Sequence, residues 1–304
     1  MTASPGAANW IKLLTLGVIW GASFMAVTVA LEGFAPMTIA ALRISSAALC
    51  LLALVYAMGI GLPSIRDRQG RIIWACAAGM GFFTNALPFS LLSWGQTYVA
   101  SGFAGVCMAV VPLFVLPLAH ILVPGDRMTL RRTLSFLIGF AGVVVLIGLE
   151  AFRSAGSDFE SLARLACLGA SLCYAIGSIL TRLCPQVNLL SLSAAALCCG
   201  AVMIVPTALW REGVPQAWPS SDAILAVAYL GLMPTALAQV LLVQVARSAG
   251  PAFLSTVNYQ VPVWSVFFGA LILDETLPPQ LFAALALILG GLLLSRAPAH
   301  RQRP

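Results

Sequence analysis

Charge is what this 304-residue chain has least of. Only 9% of its residues are Asp, Glu, Lys or Arg, against about 25% in a soluble domain. Lysine is nearly absent, with Lys12 alone beside fifteen arginines. Arginine codons are GC-rich and lysine codons AT-rich, which points to a GC-rich bacterial genome. Histidine occurs twice, at His120 and His300. With no C-x-x-C pair and no His/Cys cluster, the chain offers no familiar metal centre, and no cofactor is expected. The same scarcity argues against an intramembrane enzyme, which needs a nucleophile–base pair or metal ligands at depth. The eight cysteines, such as Cys50, Cys107, Cys198 and Cys199, fall in apolar runs and read as small buried hydrophobes, not as a disulfide framework. The net charge of +6 is scattered over loop ends and forms no stripe, so nucleic acid is not an expected partner.

What the chain has instead is apolar surface. It is 61% hydrophobic, with a mean hydropathy of +0.99. No soluble fold of this size hides so much, so the expected solvent is the lipid bilayer. Ten apolar segments can be marked, at 10–31, 36–60, 71–93, 99–123, 130–149, 162–183, 188–210, 222–243, 251–273 and 278–296. Each has about 20 residues or slightly more, enough for a helix to cross a core of about 30 Å. Backbone polar groups in hydrocarbon must be satisfied within the segment, which makes these helices and not strands. The first run begins near Trp10 and is too long for the apolar part of a cleavable signal. No Asp or Glu lies at the middle of any run. That argues against proton-driven exchange of cationic drugs, where one acid binds proton and cation in turn. A channel is disfavoured too, since no continuous polar stripe is visible.

Two stretches read as copies. Residues 86–112 lie on 236–262 at a constant offset of 150, and seven of the 27 positions are identical, including Ala86/Ala236, Phe103/Phe253 and Pro112/Pro262. The first helices of the halves align at an offset of 154, which sets Gly17-x-x-x-Gly21 on Ser171-x-x-x-Ala175, two small-residue faces that let helices approach closely. A duplication with a shared mid-segment proline is the sequence trace of a two-repeat transporter. The division expected is a first five-helix repeat over 1–149, a periplasmic connection over 150–161, and a second repeat with a cytoplasmic tail over 162–304.

Charge orients the chain. With the N-terminus in the cytoplasm, that side holds twelve basic residues: Lys12, Arg66, Arg68, Arg71, Arg127, Arg131, Arg132, Arg182, Arg247, Arg296, Arg301 and Arg303. The other side holds three, Arg153, Arg164 and Arg211. This positive-inside distribution predicts both termini in the cytoplasm. Five helices per half is odd, so the second repeat enters the membrane inverted relative to the first. The fold class expected is an all-α membrane protein of ten transmembrane helices in two inverted five-helix repeats.

These features resemble the drug/metabolite transporter superfamily, in particular its EamA-type bacterial exporters. The residues that carry the resemblance are Gly17-Val18-Ile19-Trp20-Gly21-Ala22-Ser23-Phe24, Ala40-Ala41-Leu42-Arg43, the prolines of helices 4 and 9, and Asp274-Glu275 before a leucine-rich last helix. Asp126 is the first-half counterpart of that acid. Known members export amino acids and other small metabolites, and within the family the chain is most similar to bacterial aromatic-amino-acid exporters. The resemblance implies a multi-pass inner-membrane carrier with a central cavity between helices 1, 3, 4, 6, 8 and 9, worked by alternating access. The alternative is an exporter of drugs or other metabolites. An internal duplication lets a single chain form the whole pathway.

Candidate site residues follow from what is polar or aromatic at depth. The substrate-binding set is Trp20, Ser23, Phe24, Asn85, Met108, Tyr174, Ser178, Gln239, Asn258, Tyr259 and Trp264. Amides in lipid need a partner or water, so helix–helix hydrogen bonding is the alternative reading for each. Pro112 and Pro262 are the expected hinges. A helix proline frees the carbonyl four residues earlier, here those of Met108 and Asn258, which suit an ammonium group. Arg43 is the only basic residue well inside a run. It reads as a structural group paired with Glu32 or snorkelling, or as a ligand for a substrate carboxylate. Glu275 and Asp126 read as charges on the N-terminal dipoles of helices 10 and 5. An uncharged pocket of this kind suits a solute of net charge near zero, such as a neutral amino acid.

Overall fold

The computed structural model describes residues 6–125, 128–147, 159–214 and 218–296. All regular structure in them is helical, in ten consecutive rods. The rods are α1 (Ala7–Leu31), α2 (Pro36–Ala57), α3 (Arg68–Gly95), α4 (Ser101–Leu122), α5 (Leu130–Ile147), α6 (Phe159–Leu183), α7 (Leu189–Glu212) and α8 (Ser221–Ala249). The ninth, α9, has a short piece Pro251–Leu254 and a long piece Val257–Ile272, and α10 is Pro279–Arg296. The first eight are long and apolar enough to cross a bilayer, and the last two are shorter. Starts are set locally. Asp67, Asn188 and Ser220 accept first-turn backbone N–H groups of α3, α7 and α8, and Pro36 opens α2 where its missing N–H has no helical partner to lose. Most of the expected connection 150–161 and the whole tail beyond Arg296 lie outside the described residues, as does Asp126. Helix α6 begins at Phe159, inside the expected connection.

The packing obeys a twofold rule. The inter-helix contacts α1–α9 and α1–α8 recur as α6–α4 and α6–α3; α2–α8 recurs as α7–α3. The pairs α2–α7, α4–α9 and α5–α10 map onto themselves. Exchanging each helix with the one five later therefore preserves the fold, which is the ten-helix, two-repeat architecture read from the sequence. The two largest apolar clusters respect the same exchange. One draws its buried residues chiefly from α1, α4, α5, α6, α9 and α10, the other from α2, α3, α7 and α8. Large apolar side chains such as Leu49, Ile121 and Leu271 point outward, as lipid-facing positions do.

The small-residue faces seat the crossing helices. A Cβ on Gly17 would come 2.6 Å from Oε1 of Gln260, and one on Gly21 would run into Trp264, so α9 lies directly on α1. On the matching face of α6, Ser171 donates to the Cys107 carbonyl of α4 at 2.7 Å.

Two acids tie the halves at the end of the bundle that holds the α1–α2 turn. The Glu212 carboxylate of α7 accepts from the backbone N–H groups of Met37 and Thr38, at 2.9 and 2.7 Å, capping α2. Glu275 accepts from Ser101 N–H and Gly102 N–H, at 2.7 and 3.0 Å, capping α4. The sequence assigned Glu275 to the dipole of the tenth helix. The loop between α9 and α10 instead carries it to the unsatisfied first turn of α4, where two aligned donors are available.

Candidate functional site

The cavity arises from how α3 and α8 fail to be regular. Each carries a π-helical turn, Gly81–Ala86 in α3 and Leu232–Leu237 in α8. At the offset of 150 these coincide within one residue. Each ends on a backbone bond spanning five residues, from Leu87 N–H to Phe82 and from Ala238 N–H to Met233. In α8 the cause is Pro234. It has no N–H to give the Leu230 carbonyl, and the Thr235 hydroxyl donates to that carbonyl instead, at 2.8 Å. In α3, Thr84 donates its hydroxyl to the Met80 carbonyl, and the Asn85 amide donates to the Thr84 hydroxyl at 3.0 Å. A glycine opens both turns to a neighbour. A Cβ on Gly81 would lie 2.5 Å from the Ala196 carbonyl of α7, and one on Gly231 would run into Ser46 of α2. Such turns widen the helix and re-aim its side chains, which is why they gather at functional positions.

Between these turns lies a cavity of about 420 Å³, within the ~300–1,000 Å³ typical of small-molecule sites. Nine of the eleven residues expected to bind substrate line it: Trp20, Ser23, Phe24, Asn85, Met108, Tyr174, Ser178, Gln239 and Asn258. Tyr259 and Trp264 do not. On α9 the cavity face is Asn258 and Val261, one turn apart, and Tyr259 points about 100° away from Asn258. Trp264 lies against Gly21 and stacks on Phe268 at 5.9 Å. The lining also includes Arg43 of α2 and Leu192, Ser193 and Leu197 of α7, so helices 2 and 7 join the six expected ones.

The prolines behave differently from the expectation. In α4 a 3₁₀ turn over Met108–Val110 precedes Pro112, and the Met108 carbonyl accepts from Val111 N–H. It is therefore not freed, because the tightened turn supplies a donor three residues on. In α9 the helix continues through Pro262, and its interruption is at Ser255–Thr256. Neither proline lines the cavity, although Val111 and Val261 beside them do. Of the prolines that do not align between the repeats, Pro234 sits inside the α8 bulge and Pro88 two residues past the α3 one. At offset 150 they do not match each other, so the alignment gave no signal, but each is a proline inside a long apolar run.

The cavity's polar groups are mostly fixed by neighbours. Trp20 donates Nε1–H to the Pro234 carbonyl at 3.0 Å, joining α1 to the α8 bulge. Ser23 donates to the Trp20 carbonyl at 2.6 Å. Gln239 donates to Ser193 at 2.7 Å, tying α8 to α7. Gln96 accepts from Thr28 at 3.3 Å, while its buried Nε2 has no partner among the described residues. Arg43 does not pair with Glu32. It is 7% exposed, donates Nε–H to the Thr235 hydroxyl at 2.8 Å, and lies 3.8 Å from the centroid of the Phe89 ring. The pocket is thus not uncharged, as the sequence had suggested: it holds one fixed cation. Among the described residues no carboxylate lines it and no group of metal-ligating side chains is present.

Comparison with known proteins agrees with this architecture. A solved crystal structure matches with a TM-score of 0.68 at 22% identity, over 96% of this chain and 98% of that one, which shows a shared fold. The transporter YoaV of Bacillus subtilis is 23% identical, covering 96% of this chain and 98% of its own. The inner membrane transporter YedA of Escherichia coli is 27% identical, over 93% and 88%. A protein of Streptantibioticus cattleyicolor named as a probable terminal-alkyne amino-acid exporter is 26% identical, over 97% and 96%. The EamA-like transporter family model matches residues 9–148 and again residues 161–297. With nearly the whole chain accounted for in two copies, this membrane protein belongs to the EamA-like transporter family.

Proposed function

We propose that the protein exports small metabolites, foremost aromatic and other neutral amino acids, by alternating access, with the two halves rocking about the central cavity. The observation that carries this reading is the cavity itself. It is lined by helices of both halves and mixes apolar walls with amide, hydroxyl and indole groups. Ser178 and the Asn258 amide line it with no hydrogen bond to the described protein, and so remain available to a solute. The relative named as an amino-acid exporter supports the substrate class. The reading places both termini in the cytoplasm, on the charge distribution of the loops. A cysteine placed at Arg301 should therefore resist impermeant thiol reagents added to intact cells, and labelling there would refute that orientation.

The substrate class is tested by competition. Labelled phenylalanine carried into liposomes by purified protein should be displaced by tryptophan, tyrosine, leucine and methionine within about a hundredfold of one another. Apolar walls distinguish such side chains by only ~1–3 kcal/mol. Quaternary-ammonium drugs should compete little. Competition by drugs and none by amino acids would overturn the class.

A further inference from the structure

Among the described residues Arg43 is a buried cation without an anion. Burying an unpaired charge costs several kcal/mol in a protein and more at membrane depth. Among the described residues its direct contacts are one hydroxyl and one ring face, with the Tyr174 and Tyr229 phenols close by. Thr235 takes the Nε–H, and Phe89 takes the flat of the guanidinium. The two terminal amino groups have no acceptor among the described residues, and Arg43 lines the cavity. A packing role does not explain the charge. At the offset of 154 that aligns the first helices, the counterpart of Arg43 on α7 is Leu197, which lines the same cavity with an apolar side chain.

The α8 bulge explains how the cation is held. Pro234 leaves the Leu230 carbonyl without a backbone donor, and the Thr235 hydroxyl turns its hydrogen to it. The hydroxyl's lone pairs are left for Arg43. Nε is thereby fixed and the ring of Phe89 sets the plane, so the two amino groups project as a rigid fork. A planar fork of donors matches a carboxylate in two-point contact.

We propose that Arg43 is the anion-binding residue of the cavity and that transported solutes must carry a carboxylate, which it takes between its two amino groups. Thr235 is its positioning residue. This rests on the amino-acid reading only in the choice of probes, and it makes the carboxylate, not the ammonium group, the part of the solute that is required.

The test is calorimetric titration of the whole protein in nanodiscs with three compounds of one side chain: L-phenylalanine, L-phenylalaninamide, and 3-phenylpropionate, which lacks the amine. Wild type should bind both carboxylates ~10–100-fold more tightly than the amide, the span expected of charge-assisted hydrogen bonds. Arg43→Gln should erase the preference, and Arg43→Lys should keep only part of it. Thr235→Ala retains the charge but releases its orientation, and should lower the preference without reversing it. Equal binding of acid and amide by wild type, no binding of either carboxylate, or an undiminished preference in Arg43→Gln would overturn the proposal. If Arg43→Gln does not fold, an undiminished preference in both Arg43→Lys and Thr235→Ala overturns it. Protein that binds 3-phenylpropionate but neither binds nor carries phenylalanine would contradict the amino-acid reading while upholding the anion site.

Discussion

Replacing Pro234 with alanine should lower the transport rate about tenfold or more, the loss expected from misplacing one oriented charge-assisted contact, while leaving the protein at least as stable. The alanine supplies the N–H that the Leu230 carbonyl lacks. Inside a helix alanine is favoured over proline by ~3 kcal/mol, so α8 gains a regular backbone. Closing the wide turn into a regular one re-aims the side chains at it. Thr235 then leaves the Leu230 carbonyl and Arg43, which it now serves at 2.8 Å each, and the Pro234 carbonyl leaves Trp20 Nε1. Initial transport rates and thermal unfolding, measured on the same preparation, separate the two effects. Unchanged transport, or a loss of stability in step with transport, would show that the bulge serves packing alone.

Glu275→Gln should have the largest effect on stability, about 2–4 kcal/mol, since the carboxylate accepts two hydrogen bonds and faces a helix N-terminus. Both accepted bonds come from α4, and the acid comes from the loop before α10, so the replacement loosens one half from the other. A neutral amide has one acceptor oxygen and turns its NH₂ toward a donor. The exposed Glu32 is the control: Glu32→Gln should shift stability by no more than ~0.5 kcal/mol. The measurement is thermal or denaturant unfolding of the three proteins in one detergent, and equal stability of Glu275→Gln and wild type would refute the capping role.

The length and apolar character of the runs made the ten helices legible, and the offsets of 150 and 154 made the duplication legible. The Gly17/Gly21 and Ser171/Ala175 faces were readable as close-approach surfaces because small residues at helical spacing mean the same thing wherever they occur. Which helices they seat was not, because that is a long-range fact. The cavity lining followed from a simple rule, that amides, hydroxyls and aromatics at depth face inward, and Asn85, Gln239 and Asn258 obey it. The rule failed for Tyr259 and Trp264, since aromatics are also tolerated against other helices. The π-helical turns left no mark on hydropathy, because widening a helix by one residue barely alters an apolar pattern. Pro112 and Pro262 align between the repeats, whereas Pro234 has Thr84 as its counterpart and so shows no repeat signal. Arg43 was visible as an oddity in an apolar run, but its partner Thr235 lies 192 residues away. The caps by Glu212 and Glu275 were hidden for the same reason, reaching across some 174 residues.

Counterflow distinguishes a carrier whose path is the cavity between the two halves from any other route. Liposomes containing the purified protein are preloaded with unlabelled phenylalanine and diluted into a trace of labelled phenylalanine. A carrier predicts transient accumulation of label above equilibrium, saturation as the concentration rises, and loss of both when a bulky side chain fills the cavity in Ser178→Trp. Label that only equilibrates, at a rate rising linearly with concentration and unaffected by Ser178→Trp, would contradict it.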